Sequence, residues 1–211
     1  MDYAGRAARL LLGVTAHPGG TALSRHVLDL LDLPVGSLVV DVACGRGTTL
    51  DLMSDRGLLG VGVDLQATHR HSIRGDAHRL PLPTAAYDGA VVECSLSTFA
   101  DAPTALAELR RVLRPGGRWV LTDVVLRRDL AGPDVVAALD RLTAARPMQE
   151  YARLAAEAGL AVTFSEQRQA DAQALLRRLR RRLPWSSTVR VCEQAVRDGA
   201  LGYCLLSGRV A

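Results

Sequence analysis

At 211 residues, 48% hydrophobic and 23% charged, the chain is long enough for one domain with a substantial core and has the make-up of an ordinary globular protein. All 26 basic residues are arginine, asparagine is absent and Ile73 is the sole isoleucine; this bias is that of a GC-rich genome, so a net charge of +4 points only weakly to nucleic acid. The lack of lysine excludes a Walker A loop, which needs G-K-[ST], and any Schiff-base mechanism.

In chain order, MDYAGRAARLLLG has too short an apolar core for a signal peptide, and HPGG at 17–20 leads into an amphipathic helix over 21–33. Strands are expected at 37–43, 59–64, 71–76, 88–95 and 118–125. A helix capped by Asp101 carries Leu106, Leu109, Val112 and Leu113 on one face and stops at RPGG, 114–117. Helices follow near 134–145, 148–158 and 169–183, with strands near 161–166 and 203–208. In the 169–183 helix Ala172, Leu175, Leu176, Leu179 and Leu183 form a stripe that leaves RRLRRR, 177–182, on a solvated face. Strands alternating with helices predict an α/β fold with a mainly parallel sheet. No apolar run approaches the roughly 20 residues of a membrane helix. The four cysteines show no C-x-x-C spacing, which suits a reducing cytoplasm.

VVDVACGRGTT, 39–49, is a strand delivering a glycine loop to a ligand. A dinucleotide would want a third glycine where Leu50 stands. S-adenosylmethionine has no phosphate and needs instead a close backbone and an acid for its ammonium group, for which Asp41 is well placed.

DVACGRG at 41–47 resembles the E/D-x-G-x-G-x-G loop of class I S-adenosylmethionine-dependent methyltransferases, with Ala43 in place of the first glycine. GVGVDL ending at Asp64, GDAHRLPLP at 75–83, and YDGAVVECSLSTF followed by LRRVLRPGGRWVLTDV match later family motifs in order. The resemblance spans about residues 36–125. It implies a Rossmann-like, doubly wound, seven-stranded, mostly parallel sheet with an antiparallel last strand, in a single domain over 1–211. Residues 1–35 would be N-terminal helices and lid, 36–125 the cofactor core, 126–160 a substrate cover, and 161–211 C-terminal strands and helices. It implies S-adenosylmethionine as cofactor, held by Asp41, Ala43, Gly45, Gly47, Asp64, Leu65, Asp76, Ala77 and Glu93. Asp64 would grip the ribose, Asp76 the adenine amino group, and the Ala77 amide a ring nitrogen. Only QATHRHSIRG separates Asp64 from Asp76, so the second helix should shrink to a turn, with His69 and His71 facing cofactor or solvent.

The acceptor should lie over the strand ends, near Glu93, Cys94, Ser95 to Phe99, Asp123, His17 and a lid residue, Tyr3. Glu93, Cys94 and His17 are the catalytic candidates. ECSL replaces the N/D-P-P-Y/F of enzymes that methylate nucleic-acid nitrogens, which favours a small-molecule acceptor and argues against nucleic acid. Alternatives are an RNA or protein methyltransferase, a non-catalytic S-adenosylmethionine-binding protein, and an arsenite-like methyltransferase. In the last, Cys94, Cys192 and Cys204 would hold a soft ion; otherwise no metal is expected.

Overall fold

The apolar, β-branched run LVVDV forms β1 (Leu38–Val42), and its period-two side chains supply both faces of one sheet. A computed structural model describes residues 17–211 of the chain; Tyr3 and the first 16 residues of the expected N-terminal segment lie outside them. The further strands are β2 (Leu59–Asp64), β3 (Ser72–Arg74), β4 (Tyr87–Glu93), β5 (Leu113–Leu126), β6 (Leu160–Gln167) and β7 (Leu201–Val210). The helices are α1 (Gly20–Leu31), α2 (Thr48–Asp55), α3 (Ala102–Val112), α4 (Pro133–Asp140), α5 (Met148–Glu157), α6 (Gln169–Arg182) and α7 (Ser187–Arg197).

The strands lie in the order β3-β2-β1-β4-β5-β7-β6, with β7 antiparallel to both neighbours and the rest parallel. The order reverses between β1 and β4, and this switch point opens a crevice at the strands' C-terminal ends. Alternate residues of each strand feed two cores. Val40, Ala90, Trp119 and Leu121 pack with α3 and α5, whereas Val39, Val91 and Val120 pack with α1, α4 and α7. Burial of these side chains on both sides holds the sheet in a three-layer arrangement.

Several expectations hold and some change. Asp101 caps α3 as expected, its Oδ1 accepting from the Thr104 amide at 3.1 Å. RPGG ends that helix but sits inside β5: Tyr87 pairs with Leu113 and Gly89 with Arg118, so residues 114–117 loop out as a bulge, with Gly116 at φ +72°. Residues 65–71 contain no helix, yet β2 and β3 pair in parallel; β3 is three residues long at the sheet edge, so the short link has little distance to cover. Of the stretch 126–160, α4 reaches the crevice but α5 does not. Tyr151, Leu154 and Ala155 of α5 pack against α3 on the far face, because their apolar stripe faces that core. The crevice is covered instead by α6 and by α7, a helix absent from the sequence reading.

Candidate active site

The loop after β1 is shaped by its backbone. Ala43 adopts φ +60°, a left-handed conformation that costs a non-glycine residue about 1–2 kcal/mol, and its amide donates to the Val63 carbonyl at 2.7 Å. The methyl group thus sits where the family carries glycine. Gly45, at φ +53°, donates its amide to Asp64 Oδ2 at 2.9 Å, while Asp64 Oδ1 accepts from the Gln66 amide at 2.9 Å. Each Asp64 oxygen keeps a free lone pair. A Cβ built on Gly45 meets nothing within 4 Å, since it would project into open cavity.

Gly47 has a different role. It caps α2 at φ +79°, and a methyl there would overlap the His69 ring. His69 Nδ1 accepts from the His71 amide at 3.2 Å, so Nε2 carries the proton and faces Asp51 Oδ1 at 3.1 Å. His69 therefore closes the shortened 65–71 link onto α2; neither it nor His71 lines the cavity. Gly47→Ala should destabilise the protein by roughly 2–4 kcal/mol through backbone strain and overlap. Denaturant unfolding of Gly47→Ala, with and without His69→Ala, checks this: the double variant should recover the overlap part only.

Three acids meet at the crevice. Asp41 is only 3% exposed and accepts no hydrogen bond from the described residues. Burial first, then the Glu93 and Asp64 carboxylates, push its carboxyl well above the usual range. Glu93, at the tip of β4, is better supported: Oε1 accepts from Thr49 Oγ1 at 2.6 Å and Oε2 from Ser24 Oγ at 3.0 Å. His17 Nδ1 donates to the Pro18 carbonyl at 2.8 Å, and its Nε2 lies 3.6 Å from Glu93 Oε2. Ser24 and Thr49, which the sequence did not single out, tie α1 and α2 to β4 through this one carboxylate.

At the rim just after β3, the His78 amide, then the His78 ring, hold Asp76 below the usual carboxylate range. His78 Nδ1 faces Asp76 Oδ1 at 2.6 Å and Nε2 accepts from the Asp101 amide at 3.1 Å, which fixes the proton on Nδ1 and the carboxylate in place. Leu65, Ala77 and Phe99 line the same rim.

Beyond β4, Cys94 stands at φ +53° with its amide donating to Thr122 O at 2.7 Å. Burial, then the Asp123 carboxylate, push its thiol far up. Asp123 is fully buried and accepts from the Ser97 amide at 2.8 Å, Ser97 Oγ at 2.6 Å and the Val124 amide at 2.7 Å. Burial outweighs these bonds and raises its pKa to about 6. Nearby, Ser95 Oγ is buried, lines the cavity and has no partner among the described residues.

The folded Asp123 binds its proton more tightly than the unfolded chain does. The resulting stabilisation is complete below the unfolded pKa of about 4 and is lost as pH rises through about 6. Relative to Asp123→Asn, the wild type should therefore lose about 2 kcal/mol of stability between pH 4 and pH 7. Denaturant unfolding across that range checks the slope, and a pH-independent difference would contradict it.

The soft-ion set does not assemble. Cys94 and Cys192 line the cavity, but Cys204 points into the opposite core, with its thiol pushed up to about 12 by burial and Asp123. Strand alternation is the reason: Tyr203 faces the crevice side of the sheet, so Cys204 faces away. Among the described residues no cluster of three or more His, Cys, Asp or Glu is arranged to hold a metal ion.

One cavity of about 850 Å³ opens at this crevice, within the range of small-molecule sites. Asp41, Asp64, Asp76 and Glu93 line one end. Ala138, Leu139 and Leu142 beside α4, Leu175, Leu176 and Leu179 of α6, and Val189 and Val196 of α7 line the other. The acidic end suits a ligand with positive charge, and the open space at Gly45 suits one lying against the backbone. S-adenosylmethionine, with an ammonium and a sulfonium, fits both features.

Comparison with known proteins agrees. Residues 40–121 match a family model described as a methyltransferase domain. The chain is 33% identical over 109 residues to a demethylmenaquinone methyltransferase of Paenarthrobacter aurescens, covering 47% of this chain and 43% of that protein. It is 31% identical over 123 residues to an S-adenosyl-L-methionine-dependent Diels-Alderase of Talaromyces variabilis, covering 50% and 42%. The chain thus spans less than half the length of either relative. In fold it is similar to geranyl diphosphate C-methyltransferase from Streptomyces coelicolor A3(2), with a TM-score of 0.78 at 20% identity, covering 90% of this chain and 79% of that one. The matched stretch runs from β1 into β5, and the fold is one shared with solved methyltransferases, so residues 40–121 form a region similar to a methyltransferase domain.

Proposed function

We propose that the protein transfers a methyl group from S-adenosylmethionine to a small acceptor with an apolar body. The observation that carries this reading is a cavity with carboxylates at one end and leucines at the other. When bound, S-adenosylmethionine supplies an electrophilic methyl on its sulfonium. Asp41 and Glu93 meet positive charge, Asp64 offers acceptors to ribose hydroxyls, and the placed Asp76 carboxylate accepts from an adenine amino group. The α4, α6 and α7 side chains exclude water and align the acceptor, which supplies most of what an in-line displacement needs. Ser95 Oγ offers a hydrogen bond to the acceptor's polar group, and Glu93 or His17 is placed to take a proton where the acceptor loses one. Cys94, a neutral thiol here, packs beside them.

The relatives' printed substrates, a demethylmenaquinone among them, agree with an apolar acceptor. The four cysteines are all free thiols, in keeping with a reducing cytoplasm, and none of the described helices is long and apolar enough to cross a membrane. Calorimetry with S-adenosylmethionine and S-adenosylhomocysteine tests the cofactor half, and folded protein that binds neither would refute it. Release of S-adenosylhomocysteine across quinols, phenols and isoprenoid acceptors tests the acceptor half. Conversion of an acceptor without that release would point instead to cofactor-assisted chemistry such as the Diels-Alderase relative's name describes.

A further inference from the structure

Among residues 168–200 the sole aromatic is Trp185, which lies at the turn between α6 and α7 and is 76% exposed. One exposed apolar side chain is ordinary by itself, but an amphipathic indole flanked by basic residues is a combination suited to a membrane interface. Arginines flank it in the chain. Arg180 and Arg190 both donate through Nη1 to the carbonyl of Pro184, the residue before it, at 2.8 and 3.4 Å, which gathers two guanidinium groups at the turn. Arg181, Arg182 and Arg190 are exposed and form no ion pair among the described residues. The acid at hand is Glu193, whose Oε2 lies 3.9 Å from Arg180 Nε. A helix macrodipole accounts for arginines in the last turn of α6, and it does not account for an exposed tryptophan at their centre.

The inner side of this tip borders the cavity. Leu179 and Thr188, on either side of the turn, line the apolar end. We propose that the α6–α7 tip docks on an anionic lipid surface, with Trp185 at headgroup depth and Arg181, Arg182 and Arg190 on the phosphates, so that an acceptor dissolved in the bilayer enters the cavity beside it. Amphipathic rings favour that depth, and basic clusters draw a protein to anionic leaflets. RNA fits less well. A single-stranded polymer is tracked by a groove with successive stacking rings, and here one ring stands alone.

The test uses the full chain without methyl donor, so that its outcome is independent of the methyltransferase reading. Vesicles of mixed phosphatidylglycerol and phosphatidylcholine should sediment the protein at low ionic strength and release it at high salt, with pure phosphatidylcholine binding far less. Since Trp119 is fully buried, a blue shift of tryptophan emission on binding would report Trp185. Arg181→Ala/Arg182→Ala should weaken binding by about fivefold per arginine, and Trp185→Ala should weaken it and remove the emission shift. These positions are exposed, and unchanged circular dichroism would show the variants folded. No binding to anionic vesicles, affinity unmoved by the arginine changes, or binding to a single-stranded RNA oligomer in place of vesicles would overturn the proposal.

Discussion

Asp41→Asn is expected to raise the melting temperature of the unliganded protein and to weaken S-adenosylmethionine binding by on the order of 10- to 100-fold. Both effects have one origin. Asp41 is buried beside Glu93 and Asp64 without a donor among the described residues, so its folded pKa is raised. A raised carboxylic pKa contributes stability only below the unfolded value of about 4, and that contribution is lost as pH rises toward the folded one. At neutral pH the unliganded wild type is therefore held back by a crowded acid, whereas the amide removes the charge. A cationic ligand reverses the balance, because it gains most where the charge is least compensated. Thermal unfolding with and without S-adenosylmethionine, together with calorimetry, checks this. A variant less stable than wild type in the unliganded form, or one with undiminished affinity, would contradict it. The same logic makes the ligand-induced rise in melting temperature smaller in Asp41→Asn than in wild type.

Leu179→Asn tests the other end of the cavity. Leu179 lines the apolar half from α6, away from the carboxylates. Removing its contact with an apolar acceptor and placing an amide there should cost about 1.5–3 kcal/mol of transition-state binding. That corresponds to a drop of roughly 10- to 150-fold in kcat/KM for the acceptor. Affinity for S-adenosylmethionine should stay within about twofold, since distant sites add independently. Steady-state kinetics with calorimetry separates the two. Equal losses in both would place the cofactor, and not the acceptor, against α6.

These results depend on parts of the molecule that the sequence exposed to different degrees. DVACGRG, Asp64 and Asp76 could be read in advance because each lies at the end of a strand, where local order fixes what faces the crevice. Their supports could not. Glu93 is held by Ser24 and Thr49, 69 and 44 residues away, and His69 closes on Gly47 across a link that carries no periodic signal. The leucine stripe of α6 was visible, but periodicity tells only that a face is buried, not whether it meets core or cavity. α7 escaped because Ser186, Ser187 and Thr188 suggest a loop and Val189 and Val191 suggest a strand. The Ser186 side chain accepts from the Val189 amide at 3.3 Å, and Val189, Cys192 and Val196 share one face, which together define the helix start and its buried side. Cys204 cannot join Cys94, because one step along a strand reverses the facing of a side chain.

The α6–α7 hairpin leaves and rejoins the sheet at adjacent points: β6 and β7 are paired, and the Arg168 amide donates to the Tyr203 carbonyl at 2.7 Å where the insertion begins. Its two ends are thus stapled together by strands that carry none of the residues proposed to hold the methyl donor. A segment anchored in this way can be exchanged, lengthened or redrawn while the methyl-donor half keeps its geometry. On the proposed function, recognition of the acceptor and recognition of the donor are therefore free to diverge at different rates, and grafting another hairpin onto Gln167 and Leu201 is a direct route to a new acceptor range.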